Sequence, residues 1–178
     1  MTQKRCNWAG SEEIYIKYHD EEWGVPTHDD QELFEMLVLE SFQAGLSWIT
    51  ILKKRENFRN AFDNFDVEKV ANYDDVKIEE LCQDAGIIRH KGKITSAINN
   101  AKIFIEIQKG FGSFDEYIWG FTDGEIIKAE FKTESDLSKS ISKDLKKRGM
   151  KFVGPTIIYS YLESIGIIDN HQKDCFKY

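Results

Sequence analysis

Helix start and stop signals recur every ten to twenty residues along the chain, a cadence that suits short helices and leaves little room for strands. Asp30 is placed to cap a helix through LFEMLVLESF, and Ser47 to cap the next, through WITILKKRENF. Asp66 opens a short helix, and Asp74 or Asp75 opens another that Gly86 stops. KITSAINNAKIFIEI repeats apolar residues at Ile94, Ile98, Ala101 and Ile105 and ends at Gly110. Ser113 and Glu116 form a capping box. The irregular stretch from Thr122 to Thr133 reads as a loop or a short hairpin, after which helix resumes at Ser135 with Gly149 as its C′ residue. Pro155 suits the first position of a final helix that Gly166 ends. The expected fold is all-α, a single compact domain of many short helices over residues 1–178, without internal repeats.

One of these helices carries an acid among its apolar residues. Leu33, Met36 and Leu37 form a stripe at spacings of three and four, and Glu40 lies on it. Burying an unpaired carboxylate costs several kcal/mol or shifts its pKa sharply. Two readings follow: an acid at a helix end that pairs with an arginine or reaches solvent, or an acid with a ligand to meet. Aromatic residues crowd the same part of the chain, with Trp8, Tyr15, Tyr18 and Trp23 before Glu40 and Trp48 after it. Each alone is more often core. Together with a buried carboxylate they describe a pocket for a flat ring that is positively charged or donates hydrogen bonds, such as an alkylated DNA base.

The formal net charge of −7 argues against an indiscriminate nucleic-acid coat protein, but its distribution is uneven. Residues 11 to 40 carry ten acids against the single base Lys17, whereas residues 137 to 151 carry six bases against the single acid Asp144. Arg89, His90, Lys91 and Lys93 form a second basic group, so one face of an acidic protein can receive a polyanion. GMKFVGP joins the basic helix to an apolar one through two glycines, and such a turn offers backbone N–H groups to a phosphate.

No stretch approaches the ~20 apolar residues that a bilayer requires, and MTQKRCNWAG lacks a signal-type apolar run, so a cytoplasmic protein is expected. Reduced cysteines then point to metal before disulfide. His171 and Cys175, four apart, suit one helical turn, and with Cys6 and His19 they make a Cys2His2 set of the kind that structural zinc prefers. A free Cys175 beside a chance histidine, or a Cys6–Cys175 disulfide, remain the alternatives. Four protein ligands would leave no position for water, which would exclude a rival reading as a zinc hydrolase with Glu40 as its base. Cys82 reads as core.

RCNW, YHDEEWGVP, LESFQAGLSWITILKKRENF, DAGIIRHKGKI, LKKRGMKFVGPT and DNHQKDC closely resemble the bacterial 3-methyladenine DNA glycosylase I family, a branch of the helix-hairpin-helix glycosylases. The resemblance covers nearly the whole chain except 122–135. It implies a two-lobed all-α fold: N- and C-terminal segments form a zinc-binding lobe, and the middle with 135–166 forms a helical lobe with the hairpin at 149–154. It implies structural zinc on Cys6, His19, His171 and Cys175, and base recognition by Glu40 with Tyr18 and Trp48 lining the pocket and Trp8 closing over it. Gly149, Lys151 and Gly154 would hold the backbone of double-stranded DNA containing alkylated bases. The activity implied is excision of 3-methyladenine by a monomeric base-excision repair enzyme. Bifunctional relatives carry a lysine after the hairpin where this chain has Pro155 and Thr156, so lyase chemistry is not expected. The alternative is a non-catalytic DNA-damage binder. Asp169 reads as a helix cap or a partner of His171.

Overall fold

A computed structural model describes residues 3–178. Among them the chain is helical nearly throughout. After a 3-10 turn at Asn7–Ala9 come α1 (Glu13–Glu21), α2 (Asp30–Phe42), α3 (Trp48–Ala61), α4 (Val67–Ala71) and α5 (Asp75–Gln83). Then follow α6 (Lys91–Phe111), α7 (Phe114–Gly120), α8 (Asp136–Lys147) and α9 (Pro155–Ser164). Two short strands, β1 (Ile127–Lys128) and β2 (Ile168–Asp169), complete it.

The stripe on α2 is wider than its spacing suggests. Leu33, Phe34 and every residue from Met36 to Phe42 are buried, so the second half of this helix is enclosed on all sides while Gln31 and Glu32 stay exposed. It packs against α9, α6, α3 and α7, and the Tyr161 hydroxyl donates to Leu33 O at 2.9 Å. Phe42, Phe58, Phe62, Phe65, Phe34, Phe104 and Phe114 stack or meet edge to face in sequence through the core. Each such ring, once buried, contributes about 1.5–3 kcal/mol.

Capping differs from expectation in instructive ways. Asp29, extended in backbone, caps α2 by accepting from Glu32 N at 3.0 Å. Asp30 lies inside the helix and turns away to the start of α7, accepting from Phe114 N and Asp115 N at 2.9 Å and from Gln108 Nε2 at 2.8 Å. Asp66 and Asp74 cap α4 and α5. Helix α5 stops at Gln83, ahead of Gly86, because Asp84 is extended and its carboxylate accepts from Gly86 N. Ser47 heads α3 but does not cap it with its side chain, because its hydroxyl is taken up by the Thr50 hydroxyl. Gly112, at φ +91°, closes α6 two residues after Gly110. Ser113 caps α7 by accepting from Glu116 N, while the reciprocal capping box stands at Ser135 and Ser138.

The 122–133 stretch is neither plain loop nor hairpin. Ile127 and Lys128 pair in parallel with Ile168 and Asp169, which ties this stretch to the chain just before His171. Gly166 ends α9 at φ +83°, and a Cβ there would lie 2.5 Å from Pro26 N. Only glycine lets the 24–27 segment cross so closely, where Gly24 N donates to Glu163 O and Thr27 N to Ile165 O. Among the described residues no helix is long and apolar enough to cross a membrane.

Candidate active site

The last turn of α2 carries Glu40 into a cavity of about 240 Å³. Helix α1 faces it with Tyr15 and Tyr18, three residues apart, and the 3-10 turn adds Trp8. Trp8 lies 5.1 Å from the Tyr15 ring and 4.9 Å from Trp23, while Trp48, the first residue of α3, lies 5.4 Å from Tyr18. Gln43, Phe131, Ser160 and Glu163 complete the lining. Expected pocket residues Trp8, Tyr18 and Trp48 thus do meet around Glu40.

Glu40 is 4% exposed, and its Oε2 has no hydrogen-bond partner. The arginine pairing weighed above is absent: Arg55 makes two bonds to Glu22, at 2.6 and 2.7 Å, and Arg59 is held by Glu35 and Glu56. Burial, and then the neighbouring Glu163, push the Glu40 carboxyl well above its ordinary range. Burial and Glu40 likewise raise Tyr15 and Tyr18, keeping both phenols neutral donors. Glu163 on α9 is pushed up to about 7 by burial, tempered by the adjacent Asn170. Sequence reasoning passed over Glu163, although PTIIYSYLES sets an acid one turn beyond Ser160 on an otherwise apolar helix.

Lys93 departs from the basic surface expected of it. It is buried, and its Nζ donates to Phe42 O at 2.9 Å and Ala44 O at 2.6 Å, satisfying carbonyls that the end of α2 leaves open. It braces the turn that presents Glu40.

Near the chain ends Cys6, His19 and Cys175 bring one potential ligand atom each within 4.8 Å of one another, all three buried. The cysteines are free thiols, so the disulfide alternative does not form. His171 stands outside that trio. The tail after β2 runs in irregular turns, so His171 and Cys175 do not share a helical face as expected. Its ring nevertheless packs edge-on to His19 at 5.5 Å, and its buried Nε2 has no partner. Asp20 holds His19 Nδ1 at 2.8 Å and Asp169 holds His171 Nδ1 at 2.7 Å, the outer carboxylates that leave Nε2 for a metal. Thiols with imidazoles fit a borderline-soft divalent ion. A Cβ on Gly24 would sit 2.7 Å from His171 Cε1, so backbone packs directly on this ring. Glu40 is not among the gathered donors.

The cluster and the pocket share a wall. Trp8 meets His19 edge-on at 5.3 Å, and Trp23 meets His171 at 4.7 Å. On another part of the surface the hairpin at 149–154 is tied to α6. Asn99 Nδ2 donates to Gly149 O, and the Asn100 amide both donates to Lys151 O and accepts from Lys151 N. Phe152, in the left-handed region at φ +55°, faces the His90 ring at 6.2 Å, which brings the two basic stretches together. Lys146, Lys147, Arg148 and Lys151 are exposed there.

An acid buried among aromatic rings, a Cys/His cluster behind it and a basic turn between two helices define the class: a mostly helical protein with a carboxyl-and-aromatic pocket. The sequence model of the methyladenine glycosylase family matches residues 8–178. The chain belongs to that family. It is similar to DNA-3-methyladenine glycosylase 1 of Escherichia coli K12, at 45% identity over 98% of this chain and 97% of that protein. A crystal structure of 3-methyladenine DNA glycosylase I superposes with a TM-score of 0.94 at 44% identity, covering 97% of this chain and 98% of the other. A variant of 3-methyladenine DNA glycosylase I in complex with 3-methyladenine gives 0.93 at 37% identity, over 97% and 96%.

Proposed function

We propose that this protein is a 3-methyladenine DNA glycosylase, which hydrolyses the N-glycosidic bond of the alkylated base after it leaves the duplex. The observation that carries the reading is Glu40, buried without a cation at the end of an enclosed helix and ringed by Trp8, Tyr18 and Trp48. Burial by itself favours the neutral acid. A ring that brings positive charge or N–H groups reverses that preference, because Glu40 then gains a hydrogen-bonded partner and aromatic faces add about 0.5–2 kcal/mol of cation–π attraction. The protonated phenols of Tyr15 and Tyr18 remain available as donors. Water adds to the sugar carbon as the bond to the base breaks; the bonding pair leaves with the base, so an alkylated base that was cationic departs as a neutral molecule, and the water gives up one proton to solvent. Extrusion costs a few kcal/mol, less at a damaged pair, which itself favours damaged sites.

Double-stranded DNA is held at the hairpin, where Gly149, Lys151 and Gly154 with the exposed lysines meet phosphates without reading sequence. Pro155 and Thr156 follow it, with no lysine placed for strand cleavage. Zinc is the metal for Cys6, His19, His171 and Cys175, and it would supply structure by fixing both chain ends. The ends form one lobe, the middle and 135–166 the other, in a monomer that works on DNA in the cytoplasm.

Purified protein incubated with methylated DNA is expected to release free 3-methyladenine. Binding without release would instead establish the non-catalytic damage binder.

A further inference from the structure

Of the described residues that line the Glu40 cavity, Phe131 alone is exposed, at 75%. A single exposed phenylalanine is ordinary on a protein surface, but this ring also forms part of a cavity wall. Trp8, Tyr15, Tyr18, Trp23 and Trp48 pack against one another, whereas among the described residues no aromatic ring packs against Phe131. It stands in the 122–135 stretch that the family resemblance leaves out, and so belongs to none of the recognition motifs. The root of this segment is fixed. Ile127 N donates to Ile167 O at 2.8 Å and Ala129 N to Asp169 O at 2.9 Å, while Lys128 pairs with Asp169 and lies over the Tyr178 ring. From Glu130 to Glu134 no backbone–backbone hydrogen bond follows, so the tip that carries Phe131 shifts at little cost. A second hollow of about 500 Å³, reaching Asn170 and His171, borders the same segment. Phe131 therefore stands on a ridge between two spaces, and its ring has room to turn.

We propose that Phe131 is a further base-contacting residue, whose ring stacks on the extruded alkylated base at the mouth of the cavity and completes its aromatic enclosure. The inference rests on the glycosylase reading and deepens it by naming the contact that closes the site. The inner wall is set by helices: Glu40 on α2, Tyr18 on α1 and Trp48 on α3. A flat ring seated against them takes the exposed phenyl face out of water, and base–aromatic stacking adds to that gain. The same closure shuts water from the hydrogen bonds of Glu40, which strengthen as the local dielectric falls. A phenyl face neither donates nor accepts a conventional hydrogen bond. Phe131 thus adds affinity for whatever ring Glu40 admits and leaves the selection to α2.

Wild type, Phe131→Ala and Phe131→Tyr are compared for affinity toward free 3-methyladenine, followed by intrinsic tryptophan fluorescence, and for single-turnover release of the base from methylated DNA. Phe131→Ala is expected to weaken free-base affinity at least fivefold and to slow release at least as much. Its melting temperature is expected to hold, because the ring is exposed. Phe131→Tyr, which keeps the ring face, is expected to recover most of the lost affinity. Free-base affinity of Phe131→Ala within twofold of wild type would overturn the proposal. So would a fall in release alone, which would place the ring on the DNA strand instead. If Phe131→Ala lowers the melting temperature, Phe131→Leu, apolar but without a ring face, takes its place under the same criteria. Wild type that binds the free base yet releases none from DNA would sink the glycosylase reading and leave the base contact standing.

Discussion

Two carboxyl groups buried without a paired cation carry an uncompensated burial cost, and Glu40 is the sharper case because its Oε2 has no hydrogen-bond partner. Glu40→Gln retains the shape and removes the charge. We expect it to lower 3-methyladenine release by about 100-fold or more, equivalent to roughly 3 kcal/mol of lost transition-state stabilisation, without lowering the melting temperature. Unchanged release from folded protein would remove Glu40 from the mechanism. Glu163 sets a pH dependence of stability. Its folded value of about 7 stands above the ordinary 4.5, so between them the folded state binds more protons than the unfolded. The stability it contributes is complete below about 4.5 and lost as pH rises through about 7. The melting temperature of wild type should therefore fall from pH 5 to 8 more steeply than that of Glu163→Gln, and parallel curves would contradict the assignment. Glu40 was legible in the sequence because apolar residues three, four and seven positions away mark its face. Glu163 was not, because it meets that cavity only through contacts between distant parts of the chain, with Trp8, Tyr18 and Glu40 reaching the same space from other elements.

At the scale of elements, periodicity and caps located the helices well, and the errors fall where a side chain serves some other element. Asp30 belongs by position to α2 and by hydrogen bonds to α7; Lys93 belongs to α6 and satisfies the end of α2. No local pattern announces such service, nor a two-residue parallel pairing such as β1 with β2. Asp30→Ala removes the acceptor for three donors and should cost about 2–4 kcal/mol, read as a lower denaturant midpoint at unchanged slope. The hairpin was legible from its glycines and basic approach, while its anchoring by Asn99 and Asn100 was not. Lys151→Ala is expected to weaken DNA binding equally across sequences and to reduce the slope of log affinity against log salt by about 1. A sequence-dependent loss would argue for base contact there.

For the whole molecule the decisive connection is between the chain ends. Phe176 N donates to Lys4 O, Asn7 N to Gln172 Oε1, and the Cys/His cluster lies between. A metal bound there would contribute its binding energy to folding. A strong chelator should lower the melting temperature by several degrees and speed amide exchange around Cys6 and Cys175, leaving α6 protected; an unchanged melting curve would mean that no metal supports the fold. The gathering of Cys6, His19 and Cys175 was legible from their residue types, but the irregular tail that sets His171 apart from these three was not, since spacing alone suggested a helical turn.

His19 and Cys175 are separated by 156 positions yet lie 3.5 Å apart. Closing so long a loop costs chain entropy before any bond repays it, so the cluster forms late in folding, after the local contacts of the central helices. Trp8 and Trp23 rest on His19 and His171, and so the wall of the Glu40 cavity is set only when that loop has closed. A nascent chain with its helices already packed would still lack a finished pocket, and activity would appear as the final event of folding.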